Sequence, residues 1–114
     1  MIPNFFLYQF YDGEFSYGKR NGKGKQYHKG QLSFEGEYFN DFKNGPGREY
    51  KNDKIIFEGE YSNGRRTGYG KEYYLNGKLK FEGEYLNSEK HGFGKYYDSY
   101  GKLLYEGKYI HGRR

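Results

Sequence analysis

The 114-residue chain has no cysteine and no tryptophan, one methionine and two prolines. Without cysteine neither a disulfide framework nor a thiolate metal site is available, which fits a reducing compartment. No apolar run approaches the roughly 18 residues of a membrane-spanning helix. Met1 to Phe10 is uncharged and rich in aromatics, but it lacks the basic start and small-residue cleavage site of a signal peptide. Aliphatic side chains are scarce as well: hydrophobic residues make up 33% of the chain and aromatics alone 23%. That balance excludes an ordinary two-layer aliphatic core.

Sixteen tyrosines and ten phenylalanines supply most of the buriable surface, and 19 glycines are spread among them. Disordered chains are poor in aromatics, so the composition argues for a folded chain of one domain. Twenty basic residues against 15 acidic ones leave a formal charge of +5. So mild an excess favours anionic partners only if it is gathered on one face.

A repeat organises the chain. Tyr11-Asp12-Gly13-Glu14-Phe15 returns as Phe34 to Tyr38, Phe57-Glu58-Gly59-Glu60-Tyr61, Phe81 to Tyr85 and Tyr105-Glu106-Gly107-Lys108-Tyr109, with spacings of 23, 23, 24 and 24 residues. A second block keeps step: Gly22 and Gly24, Gly45 and Gly47, Gly68 and Gly70, Gly92 and Gly94. Each pair is followed by a base (Lys25, Arg48, Lys71, Lys95) and then by Tyr27, Tyr50, Tyr73 or Tyr97. Both blocks alternate with period two and are bounded by Gly, Asn, Asp or Ser, which predicts strands and hairpins. Periodicity of this size marks a repeat architecture.

The Asn63-Gly64 and Asn76-Gly77 turns allow a register to be calculated. Closing the first turn sets Gly59 opposite Gly68 and Phe57 opposite Gly70. Closing the second sets Gly83 opposite Gly70, Tyr85 opposite Gly68 and Glu82 opposite Lys71. One face then carries Phe57, Gly59, Tyr61, Gly68, Gly70, Phe81, Gly83 and Tyr85, with rings lying in the room that glycine leaves between like strands, about 10 Å apart. The other carries Glu58, Glu60, Tyr69, Lys71, Tyr73, Glu82 and Glu84. Cross-strand pairs are expected for Lys25 with Glu35, Arg48 with Glu58, Lys71 with Glu82 and Lys95 with Glu106. The shorter period is assigned to three-residue loops at Lys29-Gly30-Gln31 and Asn52-Asp53-Lys54.

The recurring (Tyr/Phe)(Glu/Asp)Gly(Glu/Lys)(Tyr/Phe), a turn, then Gly-Xaa-Gly with a following base and aromatic resembles the MORN repeat family over Tyr11 to Arg114. The resemblance implies an all-β, elongated, single-layer antiparallel β-meander, and an association with scaffolding, homodimerisation and acidic phospholipids. The repeats divide the chain at 11–33, 34–56, 57–80 and 81–104, with a half repeat over 105–114. Residues 1–10 are expected to form an atypical capping strand. Asn40-Asp41 and Asn87-Ser88 replace the Asn-Gly turn, Pro46 sits between its two glycines, and Lys108 stands where other copies have Glu. These departures predict unequal ligand affinity among the repeats.

Lys19, Arg20, Lys43, Arg65, Arg66, Lys90, Arg113 and Arg114 all fall at the same turn of successive repeats, and a row of them along one edge would meet anionic lipid. The bland alternative is a solvated rim that resists aggregation. The C-terminal strand Tyr105–Tyr109 and an aromatic face without a second layer favour self-association. Exposed tyrosines next to bases could stack nucleobases, but a tyrosine that repeats with the structural period is more often packing, and nucleic acid is not expected. Catalysis has little support. His28, His91 and His111 occupy differing repeat positions, so no metal site is expected. Thr67 and the five serines lack a neighbouring His with an orienting acid. Gly22-Lys23-Gly24-Lys25 precedes no helix and is not a phosphate loop. The expected function is a non-enzymatic, cofactor-free scaffold for a protein partner or a second copy. Its alternatives are a peripheral module for acidic phospholipids and a targeting domain of a larger enzyme. The expected location is the cytoplasm, at a membrane surface under the lipid alternative.

Overall fold

A computed structural model describes residues 9–114. The described residues form one antiparallel sheet whose nine strands follow the chain order without a crossover. The strands are β1 (Gln9–Ser16), β2 (Lys19–His28), β3 (Gln31–Phe39), β4 (Phe42–Lys51), β5 (Lys54–Ser62), β6 (Arg65–Tyr73), β7 (Leu79–Leu86), β8 (Glu89–Tyr97) and β9 (Leu103–Tyr109). The described part spans 50 × 28 × 18 Å. Of the expected capping strand, residues 1–8 lie outside the described residues, and Gln9 and Phe10 begin β1, paired with His28 and Tyr27.

The odd-to-even hairpins close on two residues that both have positive φ, such as Asn63 (49°) and Gly64 (82°). This is the mirror-image turn whose twist matches the flanking strands. The turns that depart from Asn-Gly keep the same shape, at Asn40 (52°) and Asp41 (77°) and at Asn87 (50°) and Ser88 (66°). Asn and Asp tolerate this region better than other side chains. Each turn also bends onto the preceding repeat. Backbone N–H groups of Asp41, Gly64, Ser88 and Gly112 donate to the carbonyls of Arg20, Lys43, Arg66 and Lys90 at 2.8 to 3.0 Å.

The expected register needs two corrections. Gly59 pairs with Gly70 and Phe57 with Glu72, because Gly68 and Tyr69 form a bulge opposite the step from Gly59 to Glu60. The first glycine of each Gly-Xaa-Gly marks such a bulge, with φ of 97° at Gly22, 103° at Gly45 and 107° at Gly92. A bulge of two residues preserves the alternation, so the faces remain as assigned. Pairing across β6 and β7 is as calculated: Gly68 with Tyr85, Gly70 with Gly83, Lys71 with Glu82. The second correction concerns the even-to-odd turns. The 23-residue repeats use two-residue turns, Lys29-Gly30 between His28 and Gln31 and Asn52-Asp53 between Lys51 and Lys54. The longer repeats use three-residue turns instead, where Tyr74 N–H bonds the Lys78 carbonyl and Asp98 N–H that of Lys102, both at 2.9 Å.

The corrected register lines up one glycine from every strand: Gly13, Gly24, Gly36, Gly47, Gly59, Gly70, Gly83, Gly94 and Gly107. Backbones come so close here that a Cβ on Gly36 would lie 2.7 Å from Gly47 Cα. Rings cover the row on one side. A Cβ on Gly47 would meet Phe34 at 2.5 Å, and one on Gly70 would meet Phe57 at 2.8 Å and Tyr85 at 3.1 Å.

Phe34, Phe57 and Phe81 are buried to 1%, 1% and 0% exposure although the sheet has a single layer. They belong to a zigzag of perpendicular rings that runs Tyr11, Tyr38, Phe34, Tyr61, Phe57, Tyr85, Phe81, Tyr109, with centroids 5.2 to 5.9 Å apart. Edge-to-face contact is the arrangement favoured by the ring quadrupole. Glycine backbone closes the ladder from below, and the cations described next close it from above. The expectation of a bare aromatic face is therefore corrected.

Candidate functional site

The basic residues at the hairpin turns divide between the two faces, because Arg66 pairs directly with Tyr61, Lys43 with Tyr38 and Lys90 with Tyr85. Directly opposed residues share a face. Arg66 Cζ lies 3.8 Å from the centre of Phe57, Lys90 Nζ 4.5 Å from Phe81, Lys43 Nζ 4.2 Å from Phe34 and Arg20 Cζ 4.9 Å from Tyr38. Arg114 Cζ stands 4.9 Å from Tyr96 and 5.2 Å from Tyr105. These cations lay their stems and heads over the rings, a contact that is both apolar cover and cation–π attraction. Lys19, Arg65 and Arg113 are exposed instead.

Three of the lid cations are paired. Arg66 donates from Nε and Nη2 to the Glu49 carboxylate at 3.0 and 3.1 Å, and Lys90 lies 3.7 Å from Glu72. Arg20 Nε bonds Asp41 at 2.8 Å. Burial raises the Glu49 pKa, but hydrogen bonds from Arg66 and Tyr61 and the Arg66 charge outweigh it, and the carboxyl sits below its ordinary value. Burial lowers the pKa of Lys43. Burial and the Glu49 carboxylate beside it push the Tyr61 hydroxyl up. Burial drives Tyr38 to about 12, against the charge of Arg20.

The opposite face is a groove of about 920 Å³. Gly24, Gly36, Gly47 and Gly59 form its floor, and Lys25, Glu35, Arg48, Glu58 and Lys71 line one wall. That wall extends across the sheet as alternating acid and base, from Asp12 on β1 to Glu106 on β9. The expected pairs stand in register. Arg48 and Glu58 approach to 3.4 Å and Lys95 and Glu106 to 3.5 Å, while among the described residues Lys25 and Lys71 make no ion pair within 4 Å. Tyrosines brace the acids: Tyr73 donates to Glu58 at 2.6 Å, Tyr69 to Glu82 at 2.8 Å, and Tyr50 to Glu35. The wall thus alternates in sign, with Arg48 and Lys95 in ion pairs and Lys25 and Lys71 outside them.

The residue between the paired glycines, which is Lys23, Pro46, Tyr69 or Phe93, stands on the other side of the floor and is exposed in every repeat. Tyr69 is 54% and Phe93 60% exposed. Their bulged backbone is held in the first and fourth copies, where Glu14 accepts from Lys23 N–H at 2.9 Å and Glu84 from Phe93 N–H at 2.8 Å. Pro46 has no N–H to offer. The sequence reading assigned these four positions no common role; their signal is that they change chemical class inside a block whose glycines, following base and tyrosine are constant. Among the described residues no group of three His, Asp or Glu side chains is placed to hold a metal.

A nine-stranded single-layer meander with a glycine row, one face sealed by rings and the other open, defines a β-repeat interaction surface. The chain belongs to the MORN repeat family, whose model matches residues 11–31, 34–54, 57–78 and 81–102. No curated protein matches the chain. MORN repeats are non-catalytic modules that bind proteins or membranes.

Proposed function

We propose that the chain is a non-catalytic scaffold that holds a protein partner along the glycine-floored groove. The observation that carries this reading is the exposed series Lys23, Pro46 and Tyr69 in the groove, continued beyond it by Phe93, beside a wall of alternating charge. A constant floor with one variable residue per repeat gives a partner both a track and a register. Exposed aromatics are the residues that anchor such contacts. Among the repeats, the third and fourth contribute most.

A second reading has support of its own. Phe42, Leu86 and Ile110 are exposed at the turn-bearing edge, and Lys19, Arg65 and Arg113 alternate with them. Apolar residues interleaved with bases suit the surface of an acidic membrane, and a peripheral location in the cytoplasm goes with that reading. Co-sedimentation with vesicles of neutral lipid, and of neutral lipid mixed with an acidic phospholipid, at low and physiological salt, separates the two. The groove reading expects no pelleting at physiological salt and a concentration-independent monomer in light scattering. Pelleting that needs acidic lipid and is lost in Arg65→Ala would replace it with the membrane reading. A dimer that dissociates in Phe93→Ser would make the partner a second copy.

A further inference from the structure

The aromatic face repeats a three-part unit. A ladder tyrosine donates its hydroxyl to a side chain on the preceding strand: Tyr38 to Gln26 at 3.1 Å, Tyr61 to Glu49, Tyr85 to Glu72. The residue five places after each tyrosine is a cation, Lys43, Arg66 or Lys90. In the two central units one carboxylate joins both parts, since Glu49 takes the Tyr61 hydroxyl and the Arg66 fork, and Glu72 takes the Tyr85 hydroxyl with Lys90 at 3.7 Å.

The next unit has the tyrosine and the cation without the acid. Tyr109 is 4% exposed, and among the described residues its buried hydroxyl has no hydrogen-bond partner. Arg114, five places on, rests over Tyr96 and Tyr105 and makes no ion pair among the described residues. Tyr96 on β8 occupies the strand position that Glu49 and Glu72 hold on β4 and β6. In the complete units the acid comes from the strand before the tyrosine, so the missing group is one that β8 does not carry. A buried donor left without an acceptor is unfavourable and marks a place that an acceptor would fill. The same end of the sheet is basic: Lys108 replaces the glutamate of the other copies, and Arg113 is exposed beside Arg114.

We propose that Tyr109 and Arg114 form a binding site for a carboxylate that the described strands do not supply, an acidic side chain of a protein partner. Arg114 is exposed and acts as the lid. Lifted from the ring faces, it admits the carboxylate to the Tyr109 hydroxyl and then closes on it, as Arg66 closes on Glu49. The site lies across the sheet from the groove, so each can fail without the other.

Calorimetric titration with hexaglutamate at physiological salt, with hexaglutamine as the control, tests the site. The wild-type chain binds hexaglutamate alone. Tyr109→Phe keeps the shape, removes the unpaired hydroxyl, melts at or above the wild-type temperature, and weakens binding about tenfold through the lost charge-assisted hydrogen bond. Tyr96→Glu supplies the acid internally and abolishes binding, whereas Gln31→Glu, the same charge change on an exposed remote residue, leaves it near wild type. Tyr69→Ser, in the groove, changes nothing. Equal affinity in Tyr109→Phe, equal losses in Tyr96→Glu and Gln31→Glu, or binding of inorganic phosphate but not hexaglutamate would overturn the proposal.

Discussion

On one face of the sheet Phe57 is sealed beneath the Arg66 guanidinium, 3.8 Å away; on the other, Tyr69 from the partner strand of the same hairpin stands 54% exposed. The same division separates Arg66 from Arg65, adjacent in sequence. Arg66 is held by the buried side of Glu49, while Arg65 faces solvent. Except at its Tyr109–Arg114 end, the aromatic face turns its polar and apolar groups on itself: rings on glycine, cations on rings, carboxylates on the Arg66 and Lys90 cations. The groove face spends its charges on one another and leaves the residue between the glycines free. Apart from that end, the packing that holds the sheet and the exposed groove residues lie on opposite sides of a layer one strand thick.

The comparison can be broken most forcefully at the glycine row. Gly70→Val pushes a branched side chain into Phe57 and Tyr85, and the cost of overpacking is expected to approach about 3 kcal/mol in urea unfolding. Lys23→Val, on the exposed side, is expected within about 0.5 kcal/mol of wild type. Equal midpoints for the two would show that the row is not the packing seam.

A smaller contrast separates the adjacent arginines. Arg66→Ala uncovers Phe57 and leaves the Glu49 carboxylate without its fork, an expected loss of about 2 kcal/mol. Arg65→Ala is expected to change stability by less than about 0.5 kcal/mol. Matching losses would return both residues to a common solvent-facing rim.

The smallest effect is in acid. The folded Glu49 carboxyl sits below its ordinary 4.5. A depressed carboxylate contributes stability that is whole above the unfolded pKa and is lost as pH falls through the folded value. Denaturation midpoints followed below pH 4.5 should therefore drop more steeply for the wild type than for Glu49→Gln. Parallel curves would remove Glu49 from the account.

Much of this was legible in the residues. The 23- and 24-residue periods, the assignment of Phe57 and Tyr61 to one face and of Glu58 and Lys71 to the other, and the Arg48–Glu58 pairing all follow from alternation and two Asn-Gly turns. The bulge at Gly68 was not, because a hairpin counted outward from its turn assumes one residue for one residue, and only the isolated glycine within a strand hints otherwise. Phe57 still reaches Gly70, diagonally rather than directly. The division of the basic residues was hidden for a different reason. Alternation from Gly70 through Gly68 arrives at Arg66 and places it among the rings, but a cation at a turn reads as solvated until the ring beneath it is located. Glu49 and Glu72 were overlooked likewise, since acids on an aromatic face make sense only beside the lids they bind. Tyr96, where those acids stand in the other units, gave no signal until the hydroxyl of Tyr109 was found without an acceptor.

The central claim, that lid cations belong to the core of a single-layer sheet, is tested most directly by a double-mutant cycle. Urea unfolding of wild type, Arg66→Ala, Glu49→Ala and the double variant isolates the coupling between the two side chains. The predicted coupling is about 1 to 3 kcal/mol and largely survives high salt, as expected of a partly buried pair. A coupling of only about 0.3 kcal/mol that vanishes in salt, the behaviour of an exposed surface pair, would contradict it.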